Sequence, residues 1–205
     1  MPENRDIDEN IGTKERILHV AFSLFSEYGY KNASVRKIAK AVGIRESAIY
    51  NHYKNKEDIF LEIAKNIFST PFLVSQEEIE ELSQRGKPFL NKFVMQYKML
   101  SFDKKSESLF RILLIELFQN RTLREKFMSE FNDENIKMLS GGFFSMMQNG
   151  LIRSADPMMM SYEFLSTLFY IRLQTTLLRF DKLSTSALAT QFEKHVDFFW
   201  ESIKI

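Results

Sequence analysis

A chain of 205 residues with 44% hydrophobic side chains has enough apolar material for a buried core, which excludes global disorder. It contains no cysteine, which excludes disulfides, thiolate metal sites and cysteine nucleophiles and fits a reducing compartment. The formal charge of +1 is unevenly spread: the window from Lys31 to Lys56 holds seven cations against Glu46 alone, whereas residues 61–205 balance at 18 cations and 18 acids. A basic patch on a near-neutral chain is the footprint of a polyanion partner.

Residues 1–10, MPENRDIDEN, are polar and acidic and read as a disordered tail, without the basic start and apolar stretch of a secretory signal. Next, Ile17, Leu18, Ala21, Phe22 and Phe25 recur at helical spacing, predicting an amphipathic helix over about 12–28 stopped by Gly29. Ser34 caps a short second helix through Val42, Gly43 breaks it, and a third helix follows over 46–52. Asn55 caps a fourth, whose first turn carries Glu57 and Asp58 where carboxylates complement the helix dipole; Pro71 limits it. Beyond a polar connector, SQEEIEELSQRGKP, helices are predicted near 87–102, 106–119, 121–149, 157–180 and 185–203, with no strand. Gly141-Gly142 falls inside the 121–149 segment and predicts a kink, a break or a close helix approach there, since each glycine costs about 1 kcal/mol against alanine. No run approaches the ~18 uninterrupted apolar residues of a membrane helix, so no membrane partner is expected and the cytoplasm is the expected location.

The most informative segment is VRKIAKAVGIRESAIYNHY, Val35 to Tyr53. A helix-turn-helix needs apolar residues where its helices meet, a small residue at the crossing and glycine at the turn. Ile38, Val42, Ile44 and Ile49 supply the first, Ala39 the second and Gly43 the third. Together with the flanking helices, this segment from Thr13 to Phe60 resembles the DNA-binding domain of the TetR family of bacterial regulators. The resemblance is carried by Ile17, Ala21, Phe25 and Gly29-Tyr30, by Ser34-Val35-Arg36-Lys37-Ile38-Ala39, by Gly43, Ile49-Tyr50 and Tyr53, and by Lys54-Asn55-Lys56-Glu57.

The resemblance implies an all-α fold: a three-helix DNA-binding domain over 11–57 and, over 58–205, a helical bundle for effector binding and dimerisation. It implies roles as well. Ser34 contacts phosphate, Arg36 reaches a phosphate or a base edge, and the third helix lies in the major groove with Arg45, Glu46, Ser47 and Asn51 as its candidate readers and His52 as a further DNA-binding residue. Tyr50 matches the family's phosphate-contacting tyrosine, Tyr53 is expected to pack inside, and Lys56 touches phosphate at the start of the fourth helix. The chain departs from the family where Arg45 replaces a small capping residue, at a loss of ~1 kcal/mol, and where Ser47 and Ala48 stand for Gly and Thr.

The last two helices carry wide apolar faces, with Phe164, Leu168, Leu188, Phe192, His195 and Phe199 as candidate residues of a four-helix homodimer interface. Two half-sites of a near-palindromic double-stranded DNA operator require such a dimer. Between the two ends, Phe93, Tyr97, Phe110, Leu114, Leu117, Phe143, Met147 and Phe169 are candidates for lining a pocket for a small apolar or aromatic effector; ordinary core packing is the competing reading for each. The whole reads as a repressor released by its effector. Two alternatives keep DNA binding: a C-terminal domain that docks a protein partner, and an activator. No enzyme is expected: His19, His52 and His195 are far apart, none starts a metal motif, and there is neither a phosphate loop nor a nucleophile elbow. Neither a metal nor a cofactor is called for.

Overall fold

The computed structural model describes residues 12–68 and 76–205, which contain twelve α-helices and one π-helical segment. The expected tail over 1–10 and the limit at Pro71 lie outside the described residues. The described residues divide into two compact units, one formed by 12–68 with 108–123, the other by 76–107 with 124–205.

In the first unit, α1 (Thr13–Asn32) turns at Gly29, whose φ of 77° suits glycine, and a last turn carries on to Asn32. Helix α2 (Val35–Val42) starts at Ser34, whose Oγ accepts from the Lys37 N–H at 3.2 Å. It ends at Gly43 in the left-handed region, with Gly43 N–H donating to Lys40 O at 3.3 Å and Ile44 N–H to Ala39 O at 3.0 Å. That pair of bonds satisfies carbonyls that the helix end would leave orphaned. Arg16 on α1 donates to the Val42 carbonyl at 2.7 Å, tying the two helices at the turn. Helix α3 is Glu46–Ile49, shorter than expected, and the chain continues as turns through His52. Helix α4 (Lys56–Phe68) opens on a reciprocal cap: Asn55 Oδ1 accepts from Asp58 N–H at 2.9 Å, and Asp58 Oδ2 from Lys54 N–H at 3.1 Å. Ile17, Val20, Ala21 and Phe25 form one core with Ile38, Ala39, Val42, Ile49, Ile59, Phe60 and Ile63. Leu109, Ile112 and Leu123 join that core, so α4 and residues 108–123 group with this unit. Helix α7 (Lys104–Glu116) supplies most of that second stretch.

The second unit holds α5 (Gln76–Ser83), α6 (Lys87–Phe102), α9 (Glu134–Gln148), α10 (Pro157–Phe180), α11 (Ser186–Ala189) and α12 (Gln191–Ile203). Helix α8 (Arg121–Lys126) leads into the π-helical segment Phe127–Asp133 and then α9. The segment predicted as one helix over 121–149 is therefore irregular, but at 127–133 and not at the glycine pair. At the pair the close approach is what occurs: a Cβ on Gly142 would overlap the Phe89 ring of α6, while Gly141 faces open space. Helix α10 is set by Asp156, which accepts from Met158 and Met159 N–H, with Pro157 in the first turn, where its missing N–H costs nothing. The predicted 185–203 helix is broken at Thr190. The unit's core is aromatic: Phe93, Phe143, Phe164, Phe192 and Phe199 are buried with Leu90, Tyr97, Leu139 and Leu168. No helix among the described residues is long and apolar enough to cross a membrane.

Candidate nucleic-acid interface

The helix-turn-helix separates its side chains by chemistry. Ile38, Ala39, Val42 and Ile49 are buried, and every candidate reader on α2, α3 and the following turn is exposed: Ser34, Arg36, Arg45, Glu46, Ser47, Tyr50, Asn51 and His52. The two tyrosines divide as expected, Tyr53 being 4% exposed and Tyr50 52%. Tyr53 packs under the Lys14 ammonium, which lies 5.3 Å from its ring centre and pairs with Glu62 at 3.1 Å. Burial, with Glu62 nearby, pushes the Tyr53 phenol above its ordinary range, so it stays protonated. Helix α3 begins at Arg45 without a side-chain cap, and its first N–H groups lie at an exposed surface beside that cation.

Lys56 differs from the other candidates. It is half-buried; its Nζ donates to the Tyr30 carbonyl at 2.7 Å and sits 4.0 Å from the centre of the Tyr30 ring. Loss of water pulls its pKa down, and the charge of Glu116 opposes that shift. Tyr30 also contacts Phe25 and Phe60 at ring separations of 5.5 and 4.8 Å. Glu116, on α7 and 5% exposed, accepts the Tyr30 N–H at 2.8 Å. Sequence reasoning picked out Tyr30 but not Glu116, because no local pattern links residues 86 positions apart.

In the second unit, Phe93, Tyr97 and Phe143 are buried in the core and Met147 packs against it, while Phe169 is half-buried with its ring 6.3 Å from Phe127. Phe110, Leu114 and Leu117 fall within the stretch that groups with the first unit, so the sequence-derived pocket set is divided between units. The aromatic core also contains a buried arginine that the sequence pattern does not flag. Arg172 is 6% exposed, its guanidinium 5.7 Å from the Tyr97 ring centre. Burial drives the Tyr97 phenol up to about 12 and the Arg172 guanidinium down, each limited by the presence of the other.

Among the candidate dimer residues, Phe164, Leu168, Phe192 and Phe199 face the interior of their own unit. Leu188 and His195 line an open concavity of about 530 Å³ on α10–α12 together with Thr167, Tyr170, Lys194 and Phe198. Phe198 is 77% exposed and Tyr170 58%. His195 donates from Nε2 to the Phe164 carbonyl at 3.0 Å and stacks on that ring, and burial lowers its pKa.

An exposed polar and cationic helix end over a buried three-helix core is the arrangement of a helix-turn-helix reader of duplex DNA. Residues 17–63 match the family model described as bacterial regulatory proteins, tetR family. The chain is 49% identical over 51 residues to the transcriptional regulator AcrR of Shigella flexneri, a match covering 25% of this chain and 24% of that protein. It is 28% identical over 139 residues to the fatty acid metabolism regulator of Bacillus subtilis, covering 67% of this chain and 70% of that one. Among solved structures, SmeT of Stenotrophomonas maltophilia in complex with triclosan superposes with a TM-score of 0.67 at 21% identity, over 94% of this chain and 92% of that one. The alignment with AcrR thus spans about a quarter of that relative's length. Residues 17–63 thus match the helix-turn-helix domain of the TetR family of bacterial regulators, and the all-α plan of that domain followed by a helical one is the fold shared with SmeT.

Proposed function

We propose that this chain is a homodimeric transcriptional repressor that binds a near-palindromic operator and releases it when a small apolar or aromatic molecule enters the second unit. The observation that carries the DNA-binding part is the exposure of Ser34, Arg36, Arg45, Glu46, Ser47, Tyr50, Asn51 and His52 over a fully buried support. Asn51 and Arg45 offer bidentate donors suited to adenine and guanine, Glu46 can accept from cytosine, and Tyr50 and Ser34 have hydroxyls for phosphate. A single helix-turn-helix reads one half-site, and the exposed apolar side chains of α10 and α12 give a second copy a surface to cover.

The effector reading is supported by the aromatic core of the second unit, and SmeT, with a similar fold, is a repressor of a multidrug efflux pump and has been solved with triclosan. We assign Phe93, Tyr97, Phe143, Met147 and Phe169 as the apolar contacts of the effector. Selection of fragments from genomic DNA tests the proposal: the protein should enrich a palindromic site, and apolar aromatic probes, triclosan among them, should release it. Enrichment no better than a random library would refute the repressor reading. Retention of the DNA by every probe would leave a DNA-binding dimer without this effector class.

A further inference from the structure

We propose that Glu116 is a positioning residue for DNA binding: it latches the α1–α2 turn to the start of α4 through Tyr30 and Lys56. The proposal rests on the repressor reading for its functional consequence, but its geometry stands by itself. Tyr30 is held at both ends of its backbone, its N–H by Glu116 Oε1 at 2.8 Å and its carbonyl by Lys56 Nζ at 2.7 Å. The acid and the base come from different helices, α7 and α4, and the Tyr30 ring lies 4.0 Å from the ammonium. A buried carboxylate is costly unless it is paired and hydrogen-bonded. Here it is 5% exposed, with a backbone donor on one oxygen and the field of Lys56 nearby.

Gly29 makes the latch possible. Its φ of 77° turns the chain out of α1 so that the next N–H meets Glu116, and a Cβ there would lie 3.0 Å from Ile115 Cγ2 and 3.4 Å from Glu116 Oε1. Ser34, the cap of α2, follows Tyr30 by four residues, so the latch sets where α2 begins relative to α4. A merely apolar plug at this place would fill the volume without fixing that register. The half-buried Lys56 ammonium lies on Tyr30, so it contributes orientation as well as charge.

The experiment compares wild type, Glu116→Gln, Glu116→Ala, Lys56→Met and the double variant Glu116→Gln/Lys56→Met. The probe is a duplex recovered from genomic DNA by the wild-type protein, titrated over a salt series against a random-sequence duplex. Each single variant should bind the selected duplex roughly tenfold more weakly. The double variant should be no weaker than the worse single one, because one latch is broken either way. The salt slope of Glu116→Gln should equal that of wild type, since no phosphate contact is removed. Amide exchange of Tyr30 should quicken in Glu116→Ala, and in Glu116→Gln less, because glutamine keeps an acceptor for the N–H. Additive losses in the double variant would make the two residues act independently and overturn the proposal. Unchanged Tyr30 exchange in both Glu116 variants would overturn it too. If wild type prefers no duplex over random DNA, the repressor reading fails and the exchange result alone decides the latch.

Discussion

At the residue scale, the glycines separate conformation from contact. Gly141 and Gly142 are neighbours on α9, yet one faces open space and the other lies against the Phe89 ring. Gly141→Ala should therefore raise stability by up to about 1 kcal/mol, the helix-propensity difference. Gly142→Ala should lower it by about 1–3 kcal/mol through overpacking against Phe89. Paired thermal or urea unfolding of the two variants checks both signs. The sequence showed that a glycine pair inside a helix needs a reason, but not which member supplies it, since that depends on which face of α9 meets α6. The same limit governs the tyrosines. Tyr53 as core and Tyr50 as surface follow from their places in the motif, whereas the partner of Tyr30 arrives from α7, far along the chain.

At the element scale, α3 starts on a cation and not on a side-chain cap. Arg45 precedes α3 without bonding its first N–H groups. Arg45→Ser should add ~1 kcal/mol of stability by capping and at the same time weaken binding to DNA, with the salt slope reduced by about one. An unfolding curve and a salt titration on the same variant separate the two effects. Helix α12 carries a second testable feature in His195. Its pKa is lowered in the folded chain by burial, against the pull of the Phe164 carbonyl. The unfolded chain then binds the proton more readily, so stability is full above the ordinary imidazole value of 6.5 and falls as pH drops from there through the lower folded value. His195→Gln, which keeps a donor for Phe164, should flatten that fall in melting temperature measured across this range. Helix positions were largely legible from apolar spacing, caps and glycines, as α2, α6 and α10 show by starting or ending within a residue of expectation. The π-helical segment at 127–133 and the break at Thr190 were not, because neither carries a proline or glycine to mark it.

At the scale of the whole molecule, the proposed repressor joins a DNA reader to a second copy of the chain. The apolar stripes on α10 and α12 are legible as stripes. Which residues of a two-sided helix turn inward is not, because Phe164 and Phe198 read alike in sequence, yet one is fully buried and the other 77% exposed. The buried set holds the monomer together, which leaves Tyr170, Leu177 and Phe198 exposed for the proposed partner copy. Phe198→Asp should shift the protein from dimer to monomer in sedimentation without lowering its helix content, because a desolvated carboxylate is penalised only where the copies meet. DNA affinity should fall with it, since one half-site remains per particle.

The most direct test of the central claim is an equilibrium titration of the wild-type protein with its selected duplex and with random duplex over a range of salt. Reading by the α2–α3 surface predicts a large preference for the selected duplex that persists as salt rises, with the logarithm of affinity falling linearly and steeply against the logarithm of salt as phosphate contacts release counterions. Equal affinity for both duplexes at moderate salt, or binding insensitive to salt, would contradict it.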